Sequence, residues 1–332
     1  MKSSNKQGQL ILGVDLGGSK ISAIAADAKA NIKARDDRDT CAEQGPEEVI
    51  ARVIQSIKQV MASPRVTSPA DIAGIGIGAA GVCEAASGVI TAAPNLPGWV
   101  NVPLRDIIQR EFGFPIYLDN DTNVAALGEH CFGAGVGIDN LIYVGLGTGI
   151  GGGIIVNGQL YHGISGAAGE IGHMIIDVQG PRCKCGNIGC WEAFASGTAL
   201  TAAAVRQIEA GAQTTILSFA DGDLNKVSAE TVFLAAEQGD RLASDLIRLT
   251  GYYLGVGLVN LVNIFNPELI LIGGGVSQMG QLLLAPAAEV VKERAFELPA
   301  RAVRIELARL GTDAGVLGAV ALVLEKMSRP SS

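Results

Sequence analysis

The 332-residue chain has no dense run of lysine and arginine, and its net charge is −8. Affinity for nucleic acid comes mainly from Lys/Arg–phosphate pairing, so a DNA- or RNA-binding surface is disfavoured. An uninterrupted apolar span is also missing. The most apolar stretch, Leu254 to Ile272, is broken by Asn260, Asn263 and Asn266-Pro267 and carries Glu268, which argues against a membrane role. The first residues, Met1 to Gln9, are polar and lack the apolar segment of a signal peptide. A cytoplasmic protein is therefore expected, and its six cysteines are expected as thiols or metal ligands instead of disulfides. There is no G-x-x-x-x-G-K-[ST] run, and so no Walker-type nucleotide site.

Glycine is what the chain has in excess, at 44 residues, clustered in a few short stretches. Such clusters suggest loops where the backbone approaches something closely. Hydrophobic residues make up 48% and charged residues 17%, enough for packed cores in two domains of ordinary size.

Leu10 to Asp27 alternates and is rich in Ile and Val, which predicts a hairpin turning at Gly17-Gly18 before the polar segment Lys29 to Asp39. Helical spacing at Val49, Val53, Ile57 and Val60 predicts a helix over Pro46 to Met61. Strands are expected near Asp71 to Val82 and Pro115 to Leu118, then a helix over Thr122 to Phe132. A second hairpin covers Asn140 to Gly149 and Ile150 to Leu160, with Asn157-Gly158 as a turn. Helices follow at Ala229 to Glu237, Arg241 to Phe265 and Thr312 to Met327, with a strand over Glu268 to Ile272 that runs into Gly273-Gly274-Gly275. Leu16-Gly17-Gly18-Ser19 and Leu146-Gly147-Thr148-Gly149 each tip a hairpin early in one half of the chain, which implies a duplicated α/β fold.

Glycine backbone N–H groups can satisfy a polyphosphate. Asp15-Leu16-Gly17-Gly18-Ser19-Lys20 adds a carboxylate suited to hydrated magnesium, a hydroxyl and an ammonium; a plain tight hairpin is the alternative. Gly147, Gly149 and Gly152 formally satisfy G-x-G-x-x-G, but Gly151 to Gly158 looks like a strand entering a turn, so a dinucleotide fold is rejected.

Leu118-Asp119-Asn120-Asp121-Thr122-Asn123 places acids and amides between a strand and a helix. Phosphoryl transfer to an alcohol needs a group that orients the hydroxyl and accepts its proton, and Asp121 suits that role. A helix N-cap explains the same residues. His173, Cys183, Cys185 and Cys190 form H-x9-C-x-C-x4-C, a closed set of four ligands of the kind structural zinc prefers. Glu170 and Glu192 flank it, either as hydrogen-bond acceptors for adjacent sugar hydroxyls or as solvated surface acids.

As a set, these residues resemble the ROK family of repressors and sugar kinases. The likeness rests on Gly13-Val14-Asp15-Leu16-Gly17-Gly18-Ser19-Lys20, Asn120-Asp121-x-Asn123, Gly145 to Gly153, Gly169-Glu170-Ile171-Gly172-His173, and Cys183-Lys184-Cys185-Gly186-Asn187-Ile188-Gly189-Cys190-Trp191-Glu192. It runs from about Leu10 to Lys326. Three departures stand out: no proline precedes Gly81 in Gly78-Ala79-Ala80-Gly81, Asp119 replaces a frequent glutamate, and Ser19 a frequent threonine.

The resemblance implies a two-lobed, duplicated actin/hexokinase-like (ribonuclease H-like) α/β fold with ATP and sugar in the cleft. The small lobe is expected at 1–125 plus 317–332, and the large lobe at 126–316. By position, Asp121 is implied as the base for the sugar 6-hydroxyl, and Gly81, Asn95, Asn120, Glu170, His173 and Glu192 as sugar contacts. Asp15, Gly17, Gly18, Ser19 and Lys20 with Gly147, Thr148 and Gly149 are implied as phosphate loops, and Gly274 and Gly275 as the wall near adenosine. The implied activity is ATP-dependent phosphorylation of a hexose, glucose foremost, with N-acetylhexosamines, mannose or fructose as alternatives. Cofactors are Mg2+ and structural zinc, and a homodimer or homotetramer is the default. Family repressors carry a helix-turn-helix ahead of the first glycine hairpin; here that hairpin begins near Leu10, so an enzyme is expected instead.

Overall fold

A computed structural model describes residues 9–66, 68–85, 87–93 and 95–328. The polar stretch 1–8 at the start of the chain and residues 329–332 lie outside the described residues.

β1 (Leu10–Leu16) and β2 (Lys20–Asp27) pair antiparallel about the Gly17-Gly18 turn, and β3 (Ile32–Asp39) adds to β2. After α1 (Pro46–Met61), β4 (Ile72–Ala79) joins β1 in parallel. A small sheet of β5 (Val82–Glu84), β6 (Val89–Ala92) and β7 (Val100–Val102) precedes α2 (Leu104–Phe112). β8 (Ile116–Asn120) completes the first five-stranded sheet, in the order β3-β2-β1-β4-β8, and leads directly into α3 (Asp121–Phe132).

The period of two along β1 decides which side chain meets which layer. Leu10, Leu12, Val14 and Leu16 enter one core with Val49, Val53, Ile57 and Val60 of α1, the helical positions expected from the sequence. Ile11 enters the opposite core. β3 was legible only as polar because it is an edge strand with alternating charge, Arg35-Asp36-Asp37-Arg38.

The second half opens with β9 (Leu141–Leu146), β10 (Ile150–Val156) and β11 (Gln159–Leu160), with Asn157 and Gly158 at φ 51° and 71° as a hairpin turn requires. Then come α4 (Glu192–Ala195), α5 (Gly197–Glu209), α6 (Ala229–Glu237) and α7 (Arg241–Phe265). β12 (Leu269–Gly273), α8 (Gln281–Arg294), α9 (Glu297–Ala302) and β13 (Arg304–Leu307) follow. The second sheet has the order β11-β10-β9-β12-β13, so the third, second, first, fourth and fifth strands line up in both halves. The duplication inferred from the glycine hairpins is thus present in the topology.

The chain returns to the first core through α10 (Ala314–Ser328), whose Val316 and Val320 pack with Ile11 and Ile24. α10 crosses α3 at very short range: a Cβ on Gly318 would lie 1.8 Å from Val124 O. Glycine is obligatory at that crossing. The two compact units are 1–139 with 153–169 and 309–332, and 140–152 with 170–308. The lobes expected from sequence were 1–125 plus 317–332 and 126–316; α3 packs on α10 within the first unit. Among the described residues no helix is long and apolar enough to cross a membrane.

Candidate functional site

In the first unit, the β1–β2 turn is closed by Gly17 N–H donating to Lys20 O at 2.9 Å. Gly18 packs against Asn95, whose Cβ would be 2.8 Å from an added Cβ, so two separately predicted residues meet here. Asp15 pairs with Gly78 of β4 and lies against α10, where a Cβ on Gly315 would sit 2.3 Å from Asp15 Oδ2. The Asp15 carboxyl is pushed up to about 7, first by burial and then by the charge of Asp121, with Lys20 opposing. A carboxyl that resists ionisation unless a cation approaches is suited to holding one. Lys20 Nζ pairs with Asp37 at 3.2 Å, on the exposed side of the sheet.

The β8–α3 junction is an N-cap and a polar cluster at once. Asn120 Oδ1 accepts from Thr122 N at 2.9 Å and Asn123 N at 3.2 Å, while its Nδ2 donates to Gly81 O at 3.0 Å. Gly81 has φ 107°, and a Cβ there would fall 2.4 Å from Ala92 O, so only glycine can present that carbonyl. Asp121 is the first residue of α3, and its Oδ1 accepts from Thr122 N at 2.7 Å. Gly81, Asn120 and Asp121 therefore belong to one cluster.

In the second unit, the β9–β10 turn rests on the start of α5. Gly147 O accepts from Gly197 N at 2.9 Å, and Thr148 O from Thr198 Oγ1 at 2.6 Å. Gly274 has φ 85°, and a Cβ there would lie 2.2 Å from Leu146 O, so the β12 loop closes tightly on β9. Gly147, Thr148 and Gly275 border one pocket of about 640 Å³ with Glu230, Phe233 and Met279. The last three were missed from sequence: Glu230 and Phe233 belong to the ordinary helical pattern of α6, and Met279 ends the short turn that follows Gly275.

His173, Cys183, Cys185 and Cys190 offer ligand atoms that all lie within 4.8 Å of one another. Cys183 Sγ is 3.8 Å from His173 Nδ1, and Cys185 Sγ 3.6 Å from Cys190 Sγ. A tetrahedron with metal–sulfur bonds of about 2.3 Å has edges of about 3.8 Å, so the donor set fits a single metal ion. The turn requires Gly189, at φ 78°, where a Cβ would collide with Asp177 O. Trp191, fully buried, anchors it on α7 by donating from Nε1 to Tyr253 O at 2.9 Å.

The second imidazole nitrogen of His173 faces away from the thiols and lies 3.9 Å from Glu170 Oε2. Glu192 Oε2 accepts from Ile150 N at 2.9 Å, and its Oε1 lies 3.8 Å from Cys183 Sγ. Glu192 thus ties the cysteine cluster to the β9–β10 hairpin, a contact that its position in the sequence does not reveal. Glu170, His173 and Glu192 lie in the second unit, and Gly81, Asn95, Asn120 and Asp121 in the first.

A glycine hairpin opening each of two sheets of identical strand order defines a duplicated, actin-like α/β class. The chain belongs to the ROK family, whose model matches residues 11–326. It is 36% identical to a glucokinase of Thermotoga maritima, across 96% of this chain and 98% of that one. It is 37% identical to a xylose repressor of Caldicellulosiruptor bescii, across 97% of this chain and 80% of that one. Among solved structures, a ROK family glucokinase from Streptomyces griseus in complex with glucose and AMPPNP superposes with a TM-score of 0.84 at 34% identity, covering 95% of this chain and 99% of that one.

Proposed function

We propose that the protein transfers the γ-phosphoryl group of ATP to the 6-hydroxyl of a hexose, with glucose as its foremost substrate. The observation that carries this reading is the β8–α3 junction, where Asp121 opens a helix between Asn120 and Thr122 and shares its surroundings with Asp15. Likeness to glucokinases across almost the whole chain supports the sugar class.

In this reading Asp121 orients the 6-hydroxyl and accepts its proton during transfer. Asn120 and the Gly81 carbonyl, already bonded to each other, hold neighbouring hydroxyls with Asn95. Glu170, the outward nitrogen of His173 and Glu192 supply the remaining acceptors. The turns at Gly17-Gly18 and Gly147–Gly149, flanked by Ser19, Lys20 and Thr148, receive phosphates, and the pocket beside Gly274 and Gly275 receives the adenosine. Asp15 would hold a hydrated magnesium ion, which when bound neutralises charge on the transferring group. His173, Cys183, Cys185 and Cys190 would hold zinc, which supplies a structural cross-link, since four protein ligands leave no open position. Distinguishing hexoses depends on a few hydrogen bonds at carbons one, two and four.

A coupled ADP-release assay over glucose, mannose, fructose, N-acetylglucosamine and N-acetylmannosamine tests the substrate. The highest kcat/KM is expected with glucose; a clear preference for an N-acetylhexosamine would replace it with that sugar. Similarity to a xylose repressor supports a second reading, a sugar-responsive regulator. Sequence-specific mobility shift of DNA by the full chain, without sugar-dependent ADP release, would favour that one.

A further inference from the structure

One pair of side chains at the β8–α3 junction has no part in the mechanism above. Asp119 is only 2% exposed, yet it carries a carboxylate. Its Oδ1 accepts from Asn120 N at 2.8 Å and Asn123 Nδ2 at 3.0 Å, and its Oδ2 lies 2.6 Å from His162 Nε2. The three partners differ in kind. Asn120 and Asn123 bracket Asp121 in the chain, whereas His162 comes from the segment after β11. That segment closes on itself through Ala168 N–H donating to His162 O at 3.1 Å.

A buried carboxylate is expensive to leave short of donors, and its orientation follows the donors that remain. With His162 in place, Oδ2 is held from outside the junction while Oδ1 grips the residues on either side of Asp121. Without it, Oδ2 loses its charge-assisted partner, and the carboxylate is free to turn toward other donors. Misplacement of a reacting group by about 1 Å is enough to slow a transfer step about 100-fold.

Resting on the kinase reading with Asp121 as base, we propose that His162 is a positioning residue for phosphoryl transfer, locking the β8–α3 junction through Asp119. The charged groups facing its ring are Asp119 from β8 and Glu325 and Lys326 from α10. The Asp119 hydrogen bond is foremost among them and holds the ring proton above its ordinary range, against burial and Lys326. The imidazolium is therefore the tighter clamp. It is complete at low pH and weakens as pH rises through this raised value, where the neutral ring retains a hydrogen bond without the charge.

The test is steady-state kinetics of the full chain with glucose and ATP, with melting temperatures measured in parallel. His162→Ala is expected to lower kcat about 10- to 100-fold while both KM values change less than about threefold. His162→Gln, which can place a donor near the same point, is expected to restore most of the loss. Wild-type kcat should step down several-fold on the alkaline side, and the Gln variant should lack that step. A kcat within about twofold of wild type in His162→Ala, with Asp121→Ala inactive, overturns the inference and leaves the kinase reading intact. Equal losses in the Ala and Gln variants, tracking a lowered melting temperature, also overturn it, because His162 would then be merely structural. Normal turnover by Asp121→Ala would instead sink the kinase reading itself.

Discussion

The two glycine hairpins occupy equivalent places in sheets of identical order, and they differ in what stands beside them. At the first, Asp15 precedes Leu16-Gly17-Gly18, with its carboxyl pushed up to about 7. At the second, Gly145 holds the corresponding place before Leu146-Gly147-Thr148, and the carboxylate nearby is Glu192, contributed by the cysteine-rich turn. The first hairpin therefore brings charge from within its own strand, while the second is supported by α5 and by a turn that gathers four side chains able to hold a metal ion. The difference teaches that duplication preserved the backbone cradle and let the charges around it diverge.

Metal removal should separate the hairpins most sharply. Structural zinc sites contribute on the order of 10 kcal/mol to local folding. Cys185→Ser is expected to abolish zinc binding in metal analysis and to weaken hexose binding by calorimetry. Amide exchange should rise at the Ile150 N–H held by Glu192 and stay unchanged across β1 and β2. Native protein free of zinc would break this half of the comparison.

Next in size is Asp15→Asn, expected to lower kcat by about 100-fold or more, as loss of a key electrostatic group does. Its stability should move the other way with pH. Asp15 titrates near its ordinary value of 3.8 when unfolded and near 7 when folded, so the folded protein binds the extra proton between those values. Stability from this group is complete below the lower value and is lost as pH rises through the upper one. Melts should show little gain for Asp15→Asn at pH 4 and a gain on the order of a few kcal/mol at pH 8.

A smaller contrast tests the turns themselves. A Cβ on Gly149 would lie 2.2 Å from Glu192 Oε2, and one on Gly17 3.2 Å from Lys20 O. Gly149→Ala should displace Glu192 from Ile150 N, cost about 1–3 kcal/mol and raise the KM for ATP, whereas Gly17→Ala should cost under about 1 kcal/mol. Denaturant titration of both variants checks the order. The smallest effect is expected for Lys20→Ala on stability, under about 1 kcal/mol, because the Lys20–Asp37 pair is exposed.

How much could be read in advance follows the physics of each element. α1, α6 and α7 were legible to the residue because their apolar faces repeat at helical spacing between clear start and stop signals. α8 was not, since Pro286 inside it reads as a breaker. The strands β5 to β7 are three or four residues long, too short for a period to register. The cysteine cluster was legible because its ligands are close in sequence and few other arrangements use that spacing. Asp119 with His162, and Glu192 with Ile150, were not legible: each joins residues more than 40 positions apart through one hydrogen bond. The family resemblance supplied Gly81 and Asn95, whose places beside Asn120 and Gly18 no local pattern announces.

The central claim is that Asp121 takes the proton of a hexose hydroxyl during transfer from ATP. Comparing wild type with Asp121→Ala, by glucose-dependent ADP release and by calorimetric glucose binding, tests it most directly. The account expects kcat to fall by about 100- to 10,000-fold while glucose affinity changes only a few-fold. Turnover by Asp121→Ala close to that of wild type, or no glucose-dependent ADP release by wild type, would contradict it.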